Sequence, residues 1–116
     1  MSDSADSLDL ATLNELKEML EEGLEELLDV YLDDTPRQLA LLRTAVEGND
    51  IPTIDSVAHT LKGSSGNLGI SGVYQRCDAL EQEAKSGAVA DAAGSLYAIE
   101  GEFALAKLAL AAFRAG

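Results

Sequence analysis

Apolar residues along this chain recur at spacings of three and four, which is the period of an α-helix. The pattern runs through five segments and predicts helices at about 10–21, 24–47, 52–68, 72–86 and 91–114. No segment shows the sustained alternation of apolar and polar residues that is typical of a half-buried strand. The sequence therefore predicts an all-α fold, in which the four longer helices can form a bundle.

Residues that start and stop helices lie between these segments. Asp9 is positioned to cap the first helix, Gly23 interrupts the pattern before the second, and Gly69 is the predicted end of the third. Pro36 lies inside the second helix, where it removes a backbone donor and crowds the preceding turn. Because the apolar stripe keeps its phase across this proline, a kink is favoured over a break.

Length and composition fit one small domain. The chain has 116 residues, of which 47% are hydrophobic and only 4% aromatic, so leucine and alanine must fill a single core. Residues 1–8 are mostly small and polar, and we expect them to be disordered or frayed. The domain is predicted to span residues 9–116.

Charge and cysteine content narrow the classes of partner and the compartment. The net charge of −13 argues against nucleic acid and anionic membrane surfaces, because both require clusters of lysine and arginine. The most apolar stretch, 104–113, is too short to cross a bilayer, and the acidic N-terminus is unlike a secretory signal. Cys77 is the only cysteine; it is interpreted as a core residue rather than a reactive thiol, and a cytoplasmic location is expected.

The only histidine, His59, lies in the third predicted helix. At about 100° per residue, the residues of this helix separate into two faces. One face is apolar or small and is the predicted core stripe: Ile54, Val57, Leu61, Ser64, Ser65 and Leu68. The other face is predicted to meet solvent: Asp55, Ser56, His59, Lys62, Gly63 and Gly66. The histidine is therefore predicted to be exposed, whereas a structural histidine would share the core stripe.

The neighbours of His59 are unusual for an ordinary helix. Gly63 and Gly66 follow it on the same face, and each glycine costs about 1 kcal/mol relative to alanine inside a helix. A bare backbone allows another molecule to approach closely, although glycines can also mark the decay of a helix toward Gly69. Lys62, one turn from His59, is a candidate to stabilise negative charge on a phosphorylated imidazole; a solvent-facing lysine without a role is the alternative.

Histidine-containing phosphotransfer (HPt) domains have a signature that resembles the run HTLKGSSGNLG at residues 59–69. The resemblance extends over roughly residues 9–114, including the short leading helix and the proline in the second helix. It implies an up-down antiparallel four-helix bundle with a short additional N-terminal helix. It also implies that His59 is the phosphoacceptor, that Lys62 assists with phosphoryl charge, and that Gly63 leaves room for the partner's active site.

The resemblance further implies a function, in which His59 accepts a phosphoryl group from a receiver-domain aspartate and passes it reversibly to another receiver. The expected partners are response-regulator receiver domains and hybrid sensor kinases, which Asp55, Ser56, Gly63 and Gly66 would help to dock. The chain contains no nucleotide-binding loop, so a carrier is expected rather than an ATP-dependent kinase. We expect a monomer that binds no metal or cofactor itself, with Mg²⁺ on the partner receiver.

Two alternatives stay open at this point. The chain could be a non-catalytic helical module whose His59 face only docks a partner. It could also be the phosphotransfer domain of a larger hybrid or chemotaxis-type kinase, which keeps the chemistry and changes the context.

Overall fold

The computed structural model describes residues 7–116, and these residues form five helices and no strand. The helices are α1 (Leu10–Leu20), α2 (Glu22–Glu47), α3 (Ile51–Asn67), α4 (Ser71–Lys85) and α5 (Ala92–Ala115). Their ends differ from the predicted ends by at most two residues. The all-α prediction is confirmed.

The break between α1 and α2 differs from the prediction. It lies at Glu21, whose φ of +52° ends α1 while its N–H still bonds the carbonyl of Lys17 at 2.9 Å. Gly23, the residue that was expected to interrupt the helix, lies inside the first turn of α2. Pro36 also lies within α2, which continues from Glu22 to Glu47, so the prediction of a helix unbroken at the proline is confirmed.

The four long helices form a closed bundle around one core. α2 packs against α3, α3 against α4, α4 against α5, and α5 returns to α2, while α1 lies against α2. Short connections join successive long helices, and they make neighbours antiparallel. The core consists mainly of leucine, isoleucine and alanine, as the composition requires, and Cys77 is fully buried in it. In the described part of the chain, no helix is long and apolar enough to span a membrane.

The beginning of α1 is tied to the connection between α3 and α4. The Asp9 N–H donates to the carbonyl of Gly69 at 2.7 Å, and the Asp9 carboxylate caps α1 through the N–H of Thr12. Gly69 has a φ of +72°, and a Cβ at this position would press on Thr12, so any other residue would be strained here. The predicted frayed segment 1–8 lies largely outside the described residues; Ser7 and Leu8 are described and buried, so the packed domain begins before residue 9.

A buried hydrogen bond fixes the rotation of α3 about its axis. The Tyr31 hydroxyl on α2 lies 2.8 Å from the Ser65 hydroxyl on α3, and the Phe103 ring packs edge-on against Tyr31. Burial raises the pKa of Tyr31 to about 12, so the phenol stays neutral. Because Ser65 is held inward, the opposite face of α3 is held toward solvent.

Candidate functional site

His59 lies half way along α3, on the face that points away from the core. Its side chain is 70% exposed, whereas Leu61 and Ala58 on either side of it are fully buried. The predicted exposure of the histidine is confirmed. An imidazole in this position can meet another protein without any movement of the bundle.

A buried carboxylate from the next helix supports the histidine ring. Glu81 on α4 is only 2% exposed, and its Oε2 lies 2.7 Å from Nδ1 of His59. An ionised carboxylate can only accept a hydrogen bond, so Nδ1 must be the nitrogen that carries the proton. The other ring nitrogen, Nε2, is then left with a free lone pair.

Glu81 is kept ionised by a lysine. The ammonium group of Lys62 lies 2.6 Å from Oε1 of Glu81, and it also contacts Asp78 at 3.4 Å. The close contact with the Lys62 ammonium is the largest cause that lowers the pKa of Glu81 to about 2; burial opposes it, and the hydrogen bond from His59 adds to the lowering. The same pairing raises the pKa of Lys62. Lys62 is therefore linked to His59 by Glu81, whose carboxylate contacts both side chains.

A second lysine reaches the same carboxylate from the solvent side. The Lys85 ammonium lies 3.5 Å from Oε2 of Glu81 and 3.3 Å from a carboxylate oxygen of Asp55. Asp55 raises the pKa of Lys85, with a smaller contribution from Glu81. Asp55, which the sequence placed on the docking face, is thus ion-paired beside the histidine.

The two glycines on the histidine face have different environments. A Cβ added at Gly63 would meet no atom within 4 Å, so this position leaves open space beside His59. A Cβ at Gly66 would come within 2.9 Å of the Tyr74 ring, so the missing side chain at Gly66 makes room for α4. Both glycines line an open groove of about 420 Å³, together with Lys62, Tyr74 and residues at the start of α1. Ser56 is exposed one turn before His59, and its carbonyl accepts a hydrogen bond from Thr60.

An apolar cleft lies along the other edge of α3. It has a volume of about 310 Å³ and is lined from α2 by Leu27, Val30 and Tyr31 and from α3 by Ser64 and Asn67. Leu27 and Val30 are exposed although they are large and apolar. The histidine helix is therefore flanked by the open groove on one side and an apolar cleft on the other.

Sequence reasoning missed Glu81, the residue that organises the site. One signal was present, because Glu81 is four residues after Cys77 and so lies on the apolar stripe of α4, where a charged residue needs a partner.

Across residues 7–116, no group of three or more His, Cys, Asp or Glu side chains is arranged to hold a metal ion.

The described residues thus form an antiparallel helical bundle that holds one exposed imidazole against a buried carboxylate. A family model described as the Hpt domain matches residues 26–115 of the chain. The chain belongs to this family, as the signature around His59 predicted. It is a phosphotransfer relay module. Hpt proteins are carriers rather than kinases, and they act with two-component phosphorelay partners.

Two solved structures are similar to the chain. One is histidine-containing phosphotransfer protein B (HptB) from Pseudomonas aeruginosa PAO1, with 29% identity over 97% of this chain and 98% of that one and a TM-score of 0.88. The other is the histidine-containing phosphotransfer protein MtHPt2 from Medicago truncatula, with 23% identity over 90% of this chain and 75% of that one and a TM-score of 0.78. The second likeness supports the fold. No curated protein sequence matches the chain.

Proposed function

We propose that His59 accepts a phosphoryl group from the aspartate of a receiver domain and passes it reversibly to the aspartate of another receiver. The observation that carries this proposal is the contact between Nδ1 of His59 and the buried carboxylate of Glu81. That contact leaves the lone pair of Nε2 as the nucleophile on a side chain that is 70% exposed.

This geometry supports the following transfer step. Nε2 attacks the phosphorus of the aspartyl phosphate, the N–P bond forms, and the O–P bond breaks as the aspartate carboxylate leaves with the electron pair. The proton stays on Nδ1, so the phosphorylated ring carries a positive charge that Glu81 stabilises. The reverse sequence returns the phosphoryl group to a receiver. Phosphoryl transfer depends mainly on positioning and charge stabilisation, and α3 and α4 supply the positioning.

The partner supplies the remaining parts of the site. We propose that the receiver brings Mg²⁺ with its aspartate, and that receiver domains and hybrid sensor kinases of the cytoplasm are the donors and acceptors. The receiver would close over His59 across Gly63, with the open groove and the apolar cleft on either side as docking surfaces. The same chemistry applies to a monomer and to one domain of a larger kinase.

The proposal is tested with receiver domains that have been radiolabelled on their aspartate by acetyl phosphate. We expect at least one receiver from the same organism to transfer its label to this chain within minutes. The label should be acid-labile and alkali-stable, as phosphohistidine is and aspartyl phosphate is not. If receivers bind the chain but none transfers label, the chain is a docking module instead.

The missing side chain at Gly63 should favour transfer at a small cost in stability. We expect Gly63→Ala to raise the free energy of unfolding by about 0.5–1 kcal/mol, because alanine favours the helix and its Cβ meets nothing inside the protein. The same methyl group would stand between His59 and the receiver, so the rate of transfer should fall roughly tenfold. Urea unfolding and initial transfer rates measure the two effects.

The matched control is Gly101→Ala, because Gly101 is also exposed inside a long helix and also has open space around its Cβ. It should give the same gain in stability with an unchanged transfer rate. Equal transfer rates for wild type and Gly63→Ala would contradict a docking role for this face.

A further inference from the structure

We infer that Lys85 is the cation that compensates the charge of a phosphoryl group on His59. Lys62 instead neutralises and positions the carboxylate of Glu81. The inference rests on the proposed function and refines it, because the family signature pointed to Lys62. It is carried by the different ways in which the two lysines contact one carboxylate.

Lys62 is held by the buried carboxylate of Glu81. Its side chain is only 22% exposed, and its ammonium lies 2.6 Å from Oε1 of the buried Glu81 and 3.4 Å from Asp78. If Lys62 moved to a phosphoryl group, it would leave a buried carboxylate without its main counter-charge, which is costly. Lys62 is therefore a positioning residue that acts on His59 through Glu81.

Lys85 has the opposite properties. Its side chain is 54% exposed, and its contacts of 3.3 Å with Asp55 and 3.5 Å with Glu81 are longer than the 2.6 Å contact between Lys62 and Glu81. It contacts Oε2, the same oxygen atom that binds Nδ1 of His59, so one carboxylate oxygen separates its ammonium from the ring. A lysine has a flexible stem and three rotatable donors, and it can reach a phosphoryl oxygen without abandoning this neighbourhood.

The charges around His59 make this movement favourable. The unphosphorylated site pairs two lysines with the carboxylates of Asp55, Asp78 and Glu81, so it has no spare positive charge. A phosphoryl group adds between one and two negative charges and three acceptor oxygens. Arg76, the third cation on α3 and α4, contacts Glu102 of α5 instead. Lys85 is thus the cation on these two helices that can reorient, and Asp55 is the carboxylate that holds it until phosphorylation.

The test measures how a phosphoryl group distributes at equilibrium between His59 and a receiver aspartate. A receiver that exchanges label with the wild-type chain is mixed with each variant, and the fraction on each protein is read from acid- and alkali-treated samples. Because the equilibrium constant between separate proteins does not depend on docking, a residue that only docks the partner cannot change it. The variant folds are checked by circular dichroism.

We expect Lys85→Ala to shift this distribution roughly three- to tenfold toward the receiver, the range for an exposed charge-assisted contact. Lys85→Arg should stay near wild type, and Asp55→Asn should shift the distribution about twofold toward His59 because it releases Lys85. Lys107→Ala, which removes an exposed lysine from α5, is the matched control and should have no effect.

Two outcomes overturn this inference. One is a Lys85→Ala distribution equal to wild type, and the other is an equal shift for Lys85→Ala and Lys107→Ala. In either case the proposed function stands, because wild type still exchanges label. A wild-type chain that takes no label from any receiver contradicts the proposed function itself.

Discussion

His59→Gln should accept no phosphoryl group, with labelling below about one-thousandth of the wild-type rate, because no other side chain in the site offers a nucleophile in this position. Glutamine is close in size to histidine, and its amide can still donate to the Glu81 carboxylate, so the buried charge keeps a partner. The bundle should therefore keep its helical circular dichroism spectrum. Transfer from a radiolabelled receiver, followed by acid treatment, measures the loss.

A binding measurement shows whether the variant has lost phosphoryl transfer itself or only the ability to bind the receiver. The His59→Gln variant should bind the unphosphorylated receiver with an affinity within about threefold of wild type, since it removes little docking surface. Thr60→Ala, a neighbouring exposed position, should retain transfer and serves as the control for local disturbance. Acid-labile label on the glutamine variant would remove His59 from its proposed role.

The sequence predicted the outward face of α3 because that face depends on local periodicity alone. Apolar positions at spacings of three and four determine which side of a helix is buried, and His59 lies opposite Leu61 in any packing that buries this stripe. The relation of α3 to α4 is different. Glu81 is 22 residues from His59 in sequence, and only the tertiary packing of two helices brings their side chains to 2.7 Å.

The glycines show the same limit of sequence reasoning. Gly63 and Gly66 lie on one exposed face and have the same local signature, yet one borders open space and the other makes room for Tyr74. Nothing within α3 distinguishes them, because the difference lies on α4. Likewise, Gly23 was the natural place for a helix break, but the chain placed the positive φ at Glu21.

The carboxylate of Glu81 should set both the reactivity of His59 and the acid stability of the site. We expect Glu81→Gln to slow phosphoryl transfer roughly ten- to a hundredfold, as loss of a group that orients a reacting side chain does elsewhere. An amide can donate as well as accept, so the proton on the imidazole is no longer confined to Nδ1. Nitrogen NMR of the ring should show Nδ1 protonated in the neutral wild type and a mixture of tautomers in the variant.

The same substitution should change stability in a pH-dependent way. The folded-state pKa of Glu81 is about 2, below the ordinary value of 4.5, so its ionised form stabilises the folded protein. This contribution is fully present above the ordinary value and is lost as pH falls toward 2. Wild type should therefore be more stable than Glu81→Gln at pH 7, and the difference should shrink between about pH 4.5 and 2. Urea unfolding at a series of pH values measures it.

Glu26→Gln, which removes the same charge from an exposed position on α2, should show no comparable loss at neutral pH. A neutral-pH stability difference that persists unchanged down to pH 2 would mean that the shape of the side chain at position 81 matters rather than its charge. The tautomer measurement then decides separately whether the carboxylate directs the proton on His59. A variant ring protonated at Nδ1 to the same extent as wild type would show that something other than Glu81 leaves Nε2 free to react.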